Sequence, residues 1–224
     1  MELQQIATIR SGFNEKFGIP RQSNLVDVKA EIIFEPEYRR EDAIRGIEEY
    51  SHLWLIWGFS KVEKRQWSPV VRPPRLGGNK RVGVFATRSP YRPNPIGLSS
   101  VKLIGIKKSE TEGIILQVSG ADLLNGSPIY DIKPYLPYVD CHFEASGGFS
   151  EVKKEHKLQV QMPDFDENFI SKDEVEIIRE LLAQDPRPSY QNDPNRLYGM
   201  NYLEYNIRFR VIENKVYVEQ IERI

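Results

Sequence analysis

Two arginines and three prolines lie close together in residues 85–97, which read FATRSPYRPNPIG. Each proline restricts the residue before it to extended backbone, so Arg88 and Arg92 are expected to lie on a rigid loop. A guanidinium group fixed in this way can bind phosphate or carboxylate with little loss of conformational entropy. The segment therefore predicts an anion-binding loop, and a purely structural proline loop is the alternative.

Positive charge is concentrated in the same part of the chain. Residues 64–108 contain eleven Lys and Arg and no Asp or Glu, although the 224-residue chain has a formal net charge of -1. Such a basic block in an otherwise acidic chain is typical of proteins that bind a phosphate-rich ligand, with a solvated basic face as the alternative. Most of the block lies in residues 63–80 and 88–97, whose prolines exclude central strands and indicate functional loops.

Several kinds of site are excluded by the motifs. The chain has no Gly-rich dinucleotide fingerprint, no P-loop and no Gly-x-Ser-x-Gly elbow. Cys141 is the single cysteine and the three histidines lack metal spacing, so neither an internal disulfide nor a metal site is expected. Without a signal-like start or an apolar run of about 18 residues, the sequence predicts a soluble cytoplasmic protein with no membrane contact.

The elements that must position the arginines are mostly short strands. Apolar and alternating patterns predict strands at 6–9, 26–34, 52–59, 81–87, 98–106 and 113–118, and a short helix at 41–49. The continuous apolar run 52–59 is expected to be buried on both faces. Short strands without βα alternation predict a mainly β fold, an all-β barrel or sandwich.

The pattern changes after residue 140. A helical stripe at 172–184 and a hairpin of 203–212 with 215–221, turning at Glu213 and Asn214, predict a small α+β domain. We therefore expect a β domain over residues 1–140 and an α+β domain over residues 141–224.

Seven segments, in this order along the chain, resemble the TrmO family (YaeB/TsaA-like β-barrel proteins): 16–22, 51–54, 73–78, 85–97, 120–128, 131–135 and 183–190. The resemblance implies an S-adenosylmethionine-dependent methyltransferase that methylates N6 of N6-threonylcarbamoyladenosine at position 37, in the anticodon loop of tRNA. It also implies a homodimer and a β-barrel cofactor domain in place of a Rossmann sheet.

The resemblance further implies which residues bind the cofactor. These are Gln22, Ser23, Asn24, Ser60, Lys61, Arg88, Leu98, Asp122, Leu123, Leu124 and Asn125. The turn 125–127 reads Asn-Gly-Ser where the family pattern has Asp-Gly-Thr, and positions 60 and 61 are not strictly patterned in the family. Alternatively, Asn125 and Gly126 simply form a turn that Asp122 caps.

Methyl transfer from a sulfonium mainly requires that donor and acceptor be held in line. Because the acceptor N6 is conjugated with a carbamoyl group, a base would help, and Asp131 is the candidate. Arg92 would pair with the threonyl carboxylate and Tyr91 would stack on a base of the loop. The expected phosphate contacts are Arg65, Arg72, Arg75, Lys80, Arg81 and Lys133.

Two other functions are compatible with the same residues. One is an RNA-binding module without catalysis, and the other is a methyltransferase for a different acceptor. Arg187, Tyr190 and Arg196 suggest that the C-terminal domain also contacts RNA, with ordinary loop residues as the alternative.

Overall fold

The computed structural model describes residues 2–60, 67–73, 76, 78–153, 157–188, 191 and 193–224. The strands are β1 Ala7–Ser11, β2 Lys29–Phe34, β3 His52–Gly58, β4 Val70–Val71, β5 Val82–Gly83, β6 Ile96–Ser109, β7 Gly113–Ser119, β8 Pro128–Pro134, β9 Gln159–Gln161, β10 Tyr198–Tyr202, β11 Tyr205–Ile212 and β12 Lys215–Arg223. The helices are α1 Pro137–Asp140 and α2 Lys172–Ala183. The prediction of a mainly β fold is confirmed.

Six strands pair in the closed order β1-β2-β7-β6-β3-β8, with every neighbour antiparallel. We call this set the six-stranded ring. On β3, Leu53, Leu55 and Trp57 are buried in the core of the ring, whereas the residues between them are only half-buried. The prediction that this strand is buried on both faces is therefore wrong, because an antiparallel sheet alternates between its core side and its outer side.

Other local predictions differ from the structure for identifiable reasons. The predicted helix at 41–49 is two 3₁₀ turns, Glu41–Ile44 and Ile47–Glu49, interrupted at Gly46 with φ +84°. The predicted strand at 81–87 is the two-residue β5 followed by a 3₁₀ turn. Strand β8 has a proline at each end and lacks a continuous apolar pattern, so periodicity did not predict it.

The second sheet has the order β10-β11-β12-β9, and α2 shares its hydrophobic core. Helix α2 begins at a capping box, in which the Ser171 hydroxyl accepts from the backbone N–H of Glu174 and the Glu174 carboxylate accepts from the backbone N–H of Ser171. The β11–β12 hairpin is confirmed, although Glu213 rather than Asn214 takes the positive φ of +54°.

The connection between β1 and β2 packs into this second core. Phe13, Val26 and Val28 are buried there together with residues of β10, β11 and β12. A Cβ at Gly18 would stand 2.5 Å from Cγ of Met200 on β10, so glycine permits a close approach at this point. The C-terminal sheet therefore supports residues 12–28, which lead toward the site described next.

Candidate active site

A cavity of 520 Å³ opens where the β1–β2 connection, the end of β3, the proline-rich loop 88–92 and the start of β6 meet the turn after β7. Its lining residues are Lys16, Ile19, Pro20, Arg21, Gln22, Trp57, Phe59, Ser60, Arg88, Pro90, Tyr91, Arg92, Ile96, Gly97, Leu98, Ser99, Asp122, Leu124 and Ser127. The volume lies within the range of about 300–1,000 Å³ that is typical of small-molecule sites.

The proline-rich loop brings both arginines to this cavity. Arg88 donates through Nη1 to Oε1 of Gln22 on the opposite wall. Arg92 is half-buried and donates through Nη1 to the backbone carbonyl of Thr87 at 3.1 Å. The Thr87 hydroxyl in turn donates to the Val84 carbonyl at 2.8 Å, so side-chain hydrogen bonds as well as prolines fix the loop.

A buried chain of hydrogen bonds holds one carboxylate at the cavity. Nε1 of Trp57 donates to the Ser99 hydroxyl at 3.0 Å, and that hydroxyl donates to Oδ1 of Asp122 at 2.6 Å. Burial raises the pKa of Asp122 above its ordinary value, while the bonds from Ser99 and from the backbone of Ser23 and the charge of Arg88 partly offset that shift. Asp122 is the one carboxylate among the described residues that line the cavity.

Ser127 places a hydroxyl at the cavity without an internal partner. The residue is fully buried, and its Oγ forms no hydrogen bond to any described residue. A buried hydroxyl without a partner carries a free-energy cost, and because this oxygen has almost no accessible surface, a ligand would contact it only after a local shift of the wall. Sequence reasoning missed Trp57 and Ser99, which no motif marks, and noted Ser127 only as a departure from a family pattern.

Glycine shapes the aromatic side of the cavity. Gly97 on β6 pairs with Trp57 on β3, and a Cβ at position 97 would stand 2.2 Å from Cε2 of that indole. Trp57 also packs against Phe59, with ring centroids 4.3 Å apart. The cavity thus combines aromatic surface, three arginines (Arg21, Arg88 and Arg92) and a buried carboxylate, which fits a ligand with a planar ring, an anionic group and a cationic group.

Four other residues predicted to bind a cofactor do not line the cavity: Ser23, Asn24, Leu123 and Asn125. Asn24 donates to the Ser100 carbonyl at 3.0 Å, and Asn125 accepts from the backbone N–H of Ser11 at 3.2 Å. Both asparagines therefore tie loops together, and Leu123 is buried in the core of the ring. Ser23 contacts Asp122 through a backbone hydrogen bond. Lys61 lies outside the described residues.

Asp131, the predicted base, does not line the cavity. It lies on β8, and its Oδ2 is 2.8 Å from Nζ of Lys133, which was predicted to contact phosphate. Both side chains are about half exposed or more. The structure therefore separates this ion pair from Arg88 and Arg92.

The basic block is divided between two regions. Arg72, Lys80 and Arg81 are exposed beside β4 and β5, while Tyr91 is half-exposed at the cavity. Lys107 and Lys108 lie instead on β6, where they pair with Glu31 and Glu41, respectively. Arg65, Arg75 and Tyr190 belong to the residues whose structure is not described.

Two features are absent from the residues that the structure describes. They contain no group of three or more His, Cys, Asp and Glu side chains arranged to hold a metal ion. In the same part of the chain, no helix has both the length and the apolar character needed to span a membrane.

The chain is similar to known proteins along its whole length. The family model for the TrmO (tRNA-methyltransferase O) N-terminal domain matches residues 8–141, and that for the TrmO C-terminal domain matches residues 150–224. A tRNA (adenine(37)-N6)-methyltransferase of Escherichia coli strain K12 is 38% identical over 221 residues, covering 95% of this chain and 94% of the relative. A Pseudomonas aeruginosa protein whose name places it among S-adenosylmethionine-dependent methyltransferases, RcsF, is 38% identical, covering 91% of this chain and 90% of the relative.

Solved structures agree with these sequence matches. A crystal structure of TrmO from Pseudomonas aeruginosa superposes with a TM-score of 0.81 at 30% sequence identity, covering 100% of this chain and 97% of that one. The two family domains, the full-length relatives and the shared fold together confirm the resemblance on which the sequence prediction rested. The chain belongs to the TrmO family of S-adenosylmethionine-dependent tRNA methyltransferases.

Proposed function

We propose that this protein transfers the methyl group of S-adenosylmethionine to N6 of N6-threonylcarbamoyladenosine at position 37 of tRNA. The observation that carries the proposal is the cavity at the proline-rich loop, where Arg88, Arg92 and Asp122 converge. The name of the Escherichia coli relative supports the adenine at position 37 as the site of methylation. The family resemblance supports the threonylcarbamoyl group and a cytoplasmic homodimer.

In this proposal the cavity is the cofactor site. Six of the residues predicted from the family line it: Gln22, Ser60, Arg88, Leu98, Asp122 and Leu124. The guanidinium of Arg88 suits the cofactor's carboxylate, and the carboxylate of Asp122 suits one of its cationic groups. When bound, the cofactor supplies an electrophilic methyl group on a sulfonium. The six-stranded ring would be the β-barrel platform of a domain over residues 1–140, with the α+β domain over 141–224.

The chain's own contribution to the reaction is mainly positioning. Holding the methyl acceptor about 3–3.5 Å from the donor can account for about 7–11 kcal/mol of the barrier. Arg92 would bind the threonyl carboxylate, since its guanidinium lies at the cavity, and Tyr91 would stack on a base of the anticodon loop.

The proton on N6 needs an acceptor. Asp131 forms an ion pair outside the cavity, whereas Asp122 lines the cavity and has a raised pKa. Because the proposal pairs Asp122 with a cationic group of the cofactor, which favours the ionised carboxylate, the raised pKa does not identify Asp122 as this base. We therefore assign the N6 proton to neither carboxylate.

The decisive experiment is mass spectrometry of tRNA nucleosides from cells with and without the gene. We expect methylated N6-threonylcarbamoyladenosine to be lost on deletion and restored by the purified protein with S-adenosylmethionine. An unchanged nucleoside profile would contradict the proposal. Loss of a different methylated nucleoside would identify another acceptor. In a separate thermal-shift measurement, a melting temperature that does not change with S-adenosylhomocysteine would identify an RNA-binding module without this cofactor.

Ser127→Ala is expected to separate stability from cofactor binding. Because Ser127 Oγ has no partner among the described residues, its removal should leave the melting temperature unchanged or raise it. If the hydroxyl contacts the cofactor, the dissociation constant of S-adenosylhomocysteine should rise by about 3–10-fold, as for one neutral hydrogen bond. Thermal unfolding and isothermal titration calorimetry measure the two quantities. An unchanged dissociation constant would exclude this contact.

Lys80→Ala combined with Arg81→Ala is expected to weaken tRNA binding and reduce its salt dependence. Each phosphate contact that is lost should lower the slope of log affinity against log salt by about 1. Filter binding across a range of KCl concentrations measures this slope. The matched control is Lys107→Ala with Lys108→Ala, because these two lysines pair with glutamates elsewhere on the protein. Equal slopes for the two double variants would show that the loop does not follow the phosphates.

A further inference from the structure

We propose that Arg187 of the C-terminal region is a positioning residue of the cofactor cavity, acting through Arg21 on the wall opposite the proline-rich loop. This inference rests on the proposed function, in which the cavity binds S-adenosylmethionine. It assigns Arg187 to cofactor binding, whereas the sequence suggested a contact with RNA.

The Arg187 side chain is buried rather than exposed to solvent. The residue is 8% exposed, and its Nε and Nη2 donate to the two carboxylate oxygens of Asp185 at 2.8 and 3.0 Å. Oδ1 of Asp185 also accepts from the backbone N–H of Arg187 at 3.3 Å. Asp185 has a φ of +51°, so the ion pair closes a tight turn directly after α2. A side chain engaged in this way has little surface left for a phosphate.

The turn presents its backbone carbonyls to Arg21. Nη2 of Arg21 donates to the carbonyl of Asp185 at 3.3 Å and to that of Arg187 at 3.2 Å. One guanidinium from the β1–β2 connection thus binds both ends of the turn that the Asp185–Arg187 pair closes. Charged hydrogen bonds of this kind are stronger than neutral ones.

From Arg21 the contacts lead directly into the cavity. The Gln22 side chain donates through Nε2 to the backbone carbonyl of Arg21 and accepts through Oε1 from Arg88. Arg21, Gln22 and Arg88 all line the cavity. The C-terminal turn is therefore linked by hydrogen bonds to two of the residues expected to contact the cofactor.

Hydrophobic packing also supports the cavity wall that contains Arg21 and Gln22. Phe13 and Val26, which flank the wall segment in sequence, are buried in the core that the C-terminal sheet and α2 share. Phe17 and Ile19 pack against that core as well. Packing sets the general position of the wall, and the directional bonds from Arg21 set its orientation toward Arg88.

Arg187→Gln tests the role of the ion pair. We expect the dissociation constant of S-adenosylhomocysteine to rise about tenfold. This is the effect expected when the cavity wall that contains Arg21 and Gln22 loses one charged hydrogen bond that orders it. The affinity for tRNA at fixed salt should stay unchanged. The matched control is Arg179→Gln on α2, since Arg179 also binds a carboxylate (Glu176, 3.1 Å) and a backbone carbonyl (Val160, 3.2 Å) but does not line the cavity. It should leave both affinities unchanged.

A double-mutant cycle distinguishes positioning from a general structural role. If Arg187 acts through Arg21, the variant Arg187→Gln/Arg21→Ala should bind S-adenosylhomocysteine no more weakly than Arg21→Ala alone. Additive losses would overturn the inference, as would an unchanged cofactor affinity of Arg187→Gln or a loss confined to tRNA binding. If Arg187→Gln fails to fold, Asp185→Asn takes its place, because asparagine tolerates positive φ.

Failure of this inference can be separated from failure of the proposed function. If Arg88→Ala weakens cofactor binding but Arg187→Gln does not, the cavity is the cofactor site and only the role of Arg187 is wrong. If neither Arg88→Ala nor Arg187→Gln changes the affinity of a protein that binds S-adenosylhomocysteine, the inference is overturned and the cofactor binds elsewhere.

Discussion

Arg92→Ala is expected to abolish methylation of tRNA while the affinity for S-adenosylhomocysteine stays within about twofold of wild type. Arg92 lies half-buried at the cavity on the rigid loop 88–97, where its guanidinium can pair with the threonyl carboxylate beside the reacting base. Losing two charged hydrogen bonds, at about 1.5–3 kcal/mol each, corresponds to a fall in kcat/KM of at least about 100-fold. Single-turnover methylation and calorimetry measure the two effects separately.

The control for this prediction is Arg88→Ala on the same loop. Arg88 bonds to Gln22 across the cavity and is assigned to the cofactor, so its loss should weaken S-adenosylhomocysteine binding. If cofactor affinity fell in parallel with activity in Arg92→Ala, the two arginines would not divide cofactor and substrate between them. A variant with full activity would remove Arg92 from the mechanism altogether.

Gly97→Ala is expected to damage both stability and cofactor binding. A Cβ at this position would stand 2.2 and 2.5 Å from Cε2 and Cζ2 of Trp57, so the indole or strand β6 must shift. Overpacking of this kind typically costs about 1–3 kcal/mol in the free energy of unfolding. Because Trp57 holds Ser99 against Asp122, the displacement should also raise the dissociation constant of S-adenosylhomocysteine about tenfold or more.

The matched control is Gly105→Ala on the same strand. A Cβ there would meet only Oε1 of Gln117 among nearby described atoms, at an ordinary 3.6 Å. Urea denaturation and calorimetry should therefore show little change for Gly105→Ala and a large change for Gly97→Ala. Equal effects in the two variants would attribute the damage to strand propensity rather than to contact with Trp57.

Short-range sequence patterns account for the structural features that could be predicted without a structure. The stripe of Val175, Ile178 and Leu182 predicted α2, because helical spacing is a short-range property. The prolines of 88–97 predicted the rigid loop that carries Arg88 and Arg92 to the cavity. The ordered segments indicated the TrmO family, and the family models and full-length relatives confirm it.

The sequence by itself thus determined the mainly β class, the family and the two arginines at the candidate site. Only the tertiary structure decided that Asp131 lies outside the cavity, that Trp57 and Ser99 hold Asp122, and that Arg187 is buried. Each of these facts depends on ring closure or sheet packing, which brings together residues tens to more than a hundred positions apart. Proline and helical patterns act over a few residues, whereas burial and hydrogen-bond partners are set by contacts distant in sequence.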